Sequence, residues 1–225
     1  MTNGPRATNS SDRTRRGPAQ RPPCLPGFEH VNRYWDNQHG RFAAKILPGE
    51  YYVTCMDEMV VTVLGSCVSA CVRDSRLGIG GMNHFMLPIN NGTGGGSWDA
   101  EMLGNSTRYG SFAMERLVND ILRNGGRRQN LEVKVFGGGR ILAHITDIGQ
   151  KNIAFVRKYV QAEGLRLLAS DIGDIYPRKV YYLPAIGKAF VKKLLGRKND
   201  TILEREKAYL DQIAAKPVQG DIELF

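Results

Sequence analysis

The 225-residue sequence contains no apolar run of about 18 residues, the length a membrane-spanning helix needs, so a helical membrane protein is excluded. Cysteine is sparse at four residues, and no two are spaced as CxxC. The four histidines, His30, His39, His84 and His144, show no ligand spacing, so a structural zinc site is not expected. No apolar stretch follows the N-terminal arginines as it would in a signal peptide. The sequence therefore predicts a cytoplasmic protein with reduced thiols. The glycine-rich stretch 90–97 lacks the GK[ST] ending of a phosphate-binding loop, and no Gly-x-Ser-x-Gly elbow marks a serine hydrolase. No internal repeat, helix-turn-helix signature, zinc finger or aromatic-plus-basic RNA motif occurs, so a nucleic-acid reading rests on charge alone.

What is present suffices for one packed domain: 42% of the residues are hydrophobic, at a length near the top of the single-domain range. The formal net charge of +9 is unevenly spread. Residues 1–27 hold five arginines and one aspartate, hence +4, and little that is apolar. They read as a disordered basic tail before a domain spanning 28–225. The window 178–198 holds seven Lys or Arg and no Asp or Glu. It reads either as a solvated strand-and-turn surface or as a docking face for an acidic partner. Residues 216–225, ending in GDIELF, read as a flexible C-terminal tail or as a peptide that docks on a partner.

Ordered structure is expected from about Phe42, with strands near 43–47, 51–54, 60–64, 132–136, 165–169, 179–183 and 189–194. Helical spacing of apolar residues appears in 112–123, a second helix is expected over 151–162, and a charged helix over 202–215, with glycines stopping the first two. Between 68 and 87 an alternating strand, a turn at 74–78 and a second apolar run predict a hairpin. The order of elements indicates an α/β or α+β domain.

The chemistry concentrates at Cys67 and His84. If residues 73 and 78 close the hairpin turn, paired positions sum to 151 and Cys67 falls opposite His84, on the same face. A free thiol is only slightly ionised at neutral pH, so a nucleophilic cysteine needs a base beside it. Imidazole can take the proton and later protonate the leaving group. Gly65 lets the chain turn sharply before Cys67, and the N–H groups of Ser66 and Cys67 could form an oxyanion hole. The bland alternative is a small buried cysteine and a satisfied core histidine.

At these residues the sequence resembles the chemoreceptor glutamine deamidase family (CheD) of bacterial chemotaxis. The resemblance is carried by LGSCVSACVRD (64–74), GGMNHFMLP (80–88), YGSFAMERLVNDIL (109–122), KVFGGG (134–139), DIGQKN (147–152), DIGDIYPRKVYYLPAIGKAFVKKL (171–194) and GDIELF (220–225). It implies an α/β/β sandwich shared with glutamine-deamidating toxins. It also implies hydrolysis of specific glutamine side chains to glutamate on methyl-accepting chemotaxis receptors, a protein-glutamine glutaminase activity. The family's nucleophile falls on Cys67 and its histidine on His84. Its threonine stands six residues before the cysteine in some members. That position is Val61 here, and Thr62 lies five before, on the opposite face if the strand is unbroken. A kink at Gly65 would return Thr62 to the site as the third catalytic residue. Family members also dock onto a chemotaxis phosphatase (CheC).

The expected reaction is acyl transfer through a thioester on Cys67, with His84 as acid and base and no metal or organic cofactor. A non-catalytic adaptor, docking a receptor or the phosphatase, is the alternative.

Overall fold

The computed structural model describes residues 20–88, 100–141, 148–195 and 200–215. The expectations for residues 1–19, for the glycine-rich stretch 90–97, for His144 and for the 216–225 end fall outside these. Two five-stranded sheets form the described part. The first contains β1 (Asn32–Asp36), β2 (Arg41–Lys45), β4 (Met59–Leu64), β9 (Arg178–Leu183) and β10 (Lys188–Lys193), side by side in that order. The second contains β3 (Tyr51–Thr54), β6 (Gly80–Asn83), β5 (Val68–Asp74), β7 (Leu131–Gly137) and β8 (Arg166–Ile172). Helices α1 (Ala100–Arg123) and α2 (Ile148–Ala162) pack on the second sheet, and α3 (Asp200–Ala215) is the last described element. Helices over one sheet and that sheet over another make the expected α/β/β sandwich. Order begins earlier than the sequence suggested, with β1 as the edge of the first sheet. Leu25 and Cys24 already pack against the core, and Arg33 donates to the Pro22 carbonyl at 2.7 Å.

Period-two alternation places the core. Ala44, Val60, Leu64, Val180 and Tyr182 belong to the buried cluster shared with the second sheet, whereas Ala43, Met59, Val61, Tyr181 and Leu183 form a separate cluster on the far face. Val61 therefore points away from the second sheet, and Thr62, between Val60 and Leu64 in parity, points toward it.

The hairpin forms in a different register from the one expected. Cys71 pairs with Met82 and Arg73 with Gly80, so partners sum to 153 rather than 151. The cause is the loop at 74–79. Asp74 accepts the amides of Arg76 (2.8 Å) and Leu77 (2.9 Å) on one carboxylate oxygen and that of Arg127 (2.8 Å) on the other. These bonds hold its carboxyl down at about 2, against the cost of burial. The turn closes at Asp74 and Ile79, where the Asp74 amide donates to the Ile79 carbonyl at 2.8 Å, one position further along each strand than expected. A shift of two preserves side-chain facing, so Cys67 and His84 still share a face as diagonal rather than direct neighbours.

The described basic residues of the acid-free window fall on both faces of the sheet, Lys179, Lys188 and Lys192 on one and Arg178 and Lys193 on the other. Arg178 is buried and donates to the Asp171 carboxylate at 2.6 Å and to the Gly173 carbonyl. Lys193 pairs with Asp174 at 2.7 Å, and the Lys179 ammonium lies 4.8 Å from the centre of the Tyr181 ring. Among the described residues no helix is long and apolar enough to cross a membrane.

Candidate active site

Residues 65–67 carry the chain from the first sheet to the second: β4 ends at Leu64 and β5 begins at Val68. Thr62 and Cys67 therefore do not lie on one unbroken strand, and strand alternation does not set them on opposite faces. Thr62 reaches across from the inner face of β4, and its Oγ1 lies 2.7 Å from Nδ1 of His84. His84 follows β6, and its backbone is held by the loop beside β3. Its amide donates to the Glu50 carbonyl at 2.9 Å, and its carbonyl accepts the Gly49 amide at 2.7 Å. The neighbouring Asn83 points the other way, donating to the Ala113 carbonyl of α1 at 3.0 Å. Sequence reasoning thus placed Cys67, His84 and Thr62 in one site, and the structure brings them together.

The tautomer of His84 follows from counting protons. The Thr62 hydroxyl has one, and it donates it to the Ile46 carbonyl at 2.9 Å. Toward His84 it can only accept, so Nδ1 carries the ring proton and Nε2 keeps a free lone pair. Nε2 is buried with no hydrogen-bond partner among the described residues. Burial, with Arg205 nearby, lowers the imidazole from its ordinary 6.5 to about 3.

The crossover itself is an anion-binding nest, which the sequence indicated in part. The amides of Gly65 (2.9 Å) and Cys67 (3.2 Å) donate to Oε1 of Glu206, and the amide (2.9 Å) and hydroxyl (2.6 Å) of Ser66 donate to its Oε2. The N–H groups are aimed forward because the carbonyls are tied behind. Gly65 O accepts the Gly139 amide and Cys67 O the Gly138 amide, both at 2.7 Å, while Ser66 O accepts from the Asn152 side chain at 2.9 Å. This explains the KVFGGG and DIGQKN motifs. Gly137 (φ 108°) and Gly138 (φ 68°) adopt a left-handed conformation that brings their backbone against Cys67. A Cβ on Gly137 would stand 2.2 Å from the Cys67 carbonyl oxygen. Asn152 also accepts the Leu87 amide at 2.8 Å, so one buried side chain of α2 joins the nest to the segment that follows His84.

Glu206 was not anticipated. It lies on α3 with Ile202, Tyr209, Leu210 and Ile213, which are buried with it. Relative to Ile202 these positions are i+4, i+7, i+8 and i+11, a core-facing stripe. A carboxylate inside such a stripe was the available signal. Sγ of Cys67, a ring nitrogen of His84 and a carboxylate oxygen of Glu206 lie within 4.8 Å of one another. Sulfur, imidazole and carboxylate are zinc-type donors, but here each Glu206 oxygen already accepts two N–H or O–H donors. The surroundings suit an anion, not a cation. Burial first, and the Glu206 carboxylate second, push the Cys67 thiol well above its usual range. As folded, the pair is neutral thiol and neutral imidazole, with Cys67 0% and His84 2% exposed.

Comparison with known proteins identifies the family. Residues 86–193 match the family described as CheD chemotactic sensory transduction. A protein of Halorhodospira halophila named probable chemoreceptor glutamine deamidase CheD is 60% identical over 204 residues, 91% of this chain and 94% of that relative. Proteins of the same name from Hahella chejuensis and Methylobacillus flagellatus are 50% and 53% identical. These matches cover 92% and 87% of this chain, and 97% and 95% of the relatives. Similarity this high across nearly the whole length leaves one assignment: the chain belongs to the CheD family.

Proposed function

We propose that this chain deamidates glutamine side chains of chemoreceptors to glutamate, with Cys67 as nucleophile, His84 as general base and acid, and Thr62 as the residue that sets the imidazole tautomer. The observation that carries this reading is the nest at 65–67, with three backbone amides and a hydroxyl converging beside a thiol and a free imidazole nitrogen. With substrate in place, Nε2 of His84 takes the Cys67 proton, and the thiolate attacks the carboxamide carbon. The carbonyl oxygen, now an oxyanion, receives the amides of Gly65 and Cys67, which already converge on one oxygen position. Collapse of the tetrahedral adduct breaks the C–N bond, and the imidazolium proton leaves with ammonia. Water, deprotonated by the same nitrogen, attacks the thioester and releases glutamate and the thiol. The balance is glutamine plus water to glutamate plus ammonia.

The substrate is a protein, and the reaction belongs in a reducing cytoplasm, where a free thiol persists. The four cysteines are all free, in keeping with this. On the family resemblance, a chemotaxis phosphatase of the CheC type is assigned as a second partner. The adaptor reading is tested by trapping: hydroxylamine added during turnover captures a thioester as the receptor hydroxamate. Its formation with the wild-type chain and not with Cys67→Ala supports catalysis, and receptor binding without hydroxamate or glutamate supports the adaptor.

A further inference from the structure

We propose that α3 is a resident competitor of the substrate: Glu206 stands where the side chain of the product glutamate stands, and the face beneath α3 is where the substrate segment docks once the helix lifts. This rests on the deamidase reading above. Both oxygens of Glu206 fill the donors that the reaction needs for its oxyanion, so no carboxamide can enter the nest while Glu206 remains. The occupant has the functional group and the side-chain length of the reaction product, presented to Cys67 and His84 from within the same chain.

The reactive groups are also closed off. Cys67 is 0% exposed and Nε2 of His84 is buried without a partner among the described residues, so a protein substrate requires an opening. Helix α3 is suited to provide it, because it contributes no strand to either sheet and its departure breaks no ladder hydrogen bond. It is held down by its own buried stripe of Ile202, Tyr209, Leu210 and Ile213, with Glu206 and the Tyr109–Tyr209 hydroxyl pair among its polar ties. The segment that replaces it is therefore an amphipathic helix with glutamine at the place of Glu206. Apolar residues would stand four positions before and three, four and seven after. The carboxylate beside Cys67 also opposes thiolate formation, so the docked state holds the nucleophile inactive as well as covered.

Alkylation of Cys67 by iodoacetamide reads the opening without any substrate, and kcat/KM on a purified receptor cytoplasmic fragment reads competition. Leu210→Ala loosens the seat and leaves the carboxylate in place. It is expected to speed Cys67 alkylation at least about ten-fold and to raise kcat/KM, because a larger fraction of molecules is competent. Glu206→Ala is expected to do the same. Native-state hydrogen exchange on the wild-type chain needs no variant. The amides of 65–67 and of α3 are expected to exchange together, before those of β5 and β7. Unchanged alkylation in a folded Leu210→Ala protein, or 65–67 amides exchanging only with the sheets, overturns the proposal. If no variant releases ammonia from receptor while alkylation still rises, the deamidase reading fails and the gate stands.

Discussion

The Thr62 hydroxyl receives the Nδ1 proton of His84 because its own proton is given to the Ile46 carbonyl. That relation makes Nε2 the basic atom of the ring. Thr62→Val keeps the shape and removes the acceptor, so the imidazole can adopt the wrong tautomer. The expected loss in kcat on receptor is about 10²-fold, with Thr62→Ser restoring most of it. A steady-state comparison of the three proteins checks this, and an unaffected valine variant would remove Thr62 from the mechanism.

His84 links the site to stability. Its folded pKa of about 3 lies below its ordinary 6.5, so between these values the unfolded chain binds a proton that the folded chain does not. Stability contributed by neutral, buried His84 is present above about 6.5 and is lost as pH falls toward about 3. The slope approaches about 1.4 kcal/mol per pH unit. His84→Asn keeps a donor toward Thr62 and cannot titrate. The gap in unfolding free energy between wild type and this variant should therefore shrink as pH falls through that window, read from urea melts at several pH values. A gap independent of pH contradicts the assignment.

Asn152 serves two partners at once, the Ser66 carbonyl and the Leu87 amide. Asn152→Ala leaves both buried and unpaired, at a cost of about 2–4 kcal/mol in stability. It also releases one of the three carbonyls that aim the nest. Denaturant melts should show the first effect, and a fall in kcat larger than any change in KM the second.

A glutamine at position 206 would offer the site an internal substrate. In Glu206→Gln the carboxamide oxygen can take the amides of Gly65 and Cys67, and Cys67 can attack the adjacent carbon. The expected result is slow conversion back to glutamate. It would be seen as a gain of about one dalton in the peptide containing residue 206, first-order and independent of protein concentration. The Cys67→Ala, Glu206→Gln double variant should not convert. Full retention of the carboxamide by a variant that still turns over receptor would contradict the placement of Glu206 as a product mimic.

Much of this site was legible in the residues themselves. Alternation about Cys71 and a hairpin turn put Cys67 and His84 on one face, and that facing survived a register error because the error was even. The Thr62 question could not be answered from spacing, because the strand rule assumes one sheet and the chain changes sheets at 65–67. The nest was half visible, since the amides of Ser66 and Cys67 follow from a glycine before the nucleophile. Its supports, Gly137–139 and Asn152, lie 70 or more residues away and are joined only by the fold. Glu206 sits among the charges of a helix that the sequence marks as charged, and only its place in the stripe from Ile202 to Ile213 sets it apart. β1 was missed because a strand at a sheet edge, Asn32–Asp36, is too polar to signal itself.

The central claim is that Cys67 hydrolyses glutamine side chains on a receptor. Ammonia release and the mass of the receptor glutamine peptides, measured side by side for the wild-type chain and Cys67→Ala, test it most directly. The account predicts ammonia in step with a gain of about one dalton per modified site for the wild type, and neither for a folded Cys67→Ala protein. Equal deamidation by both would contradict it.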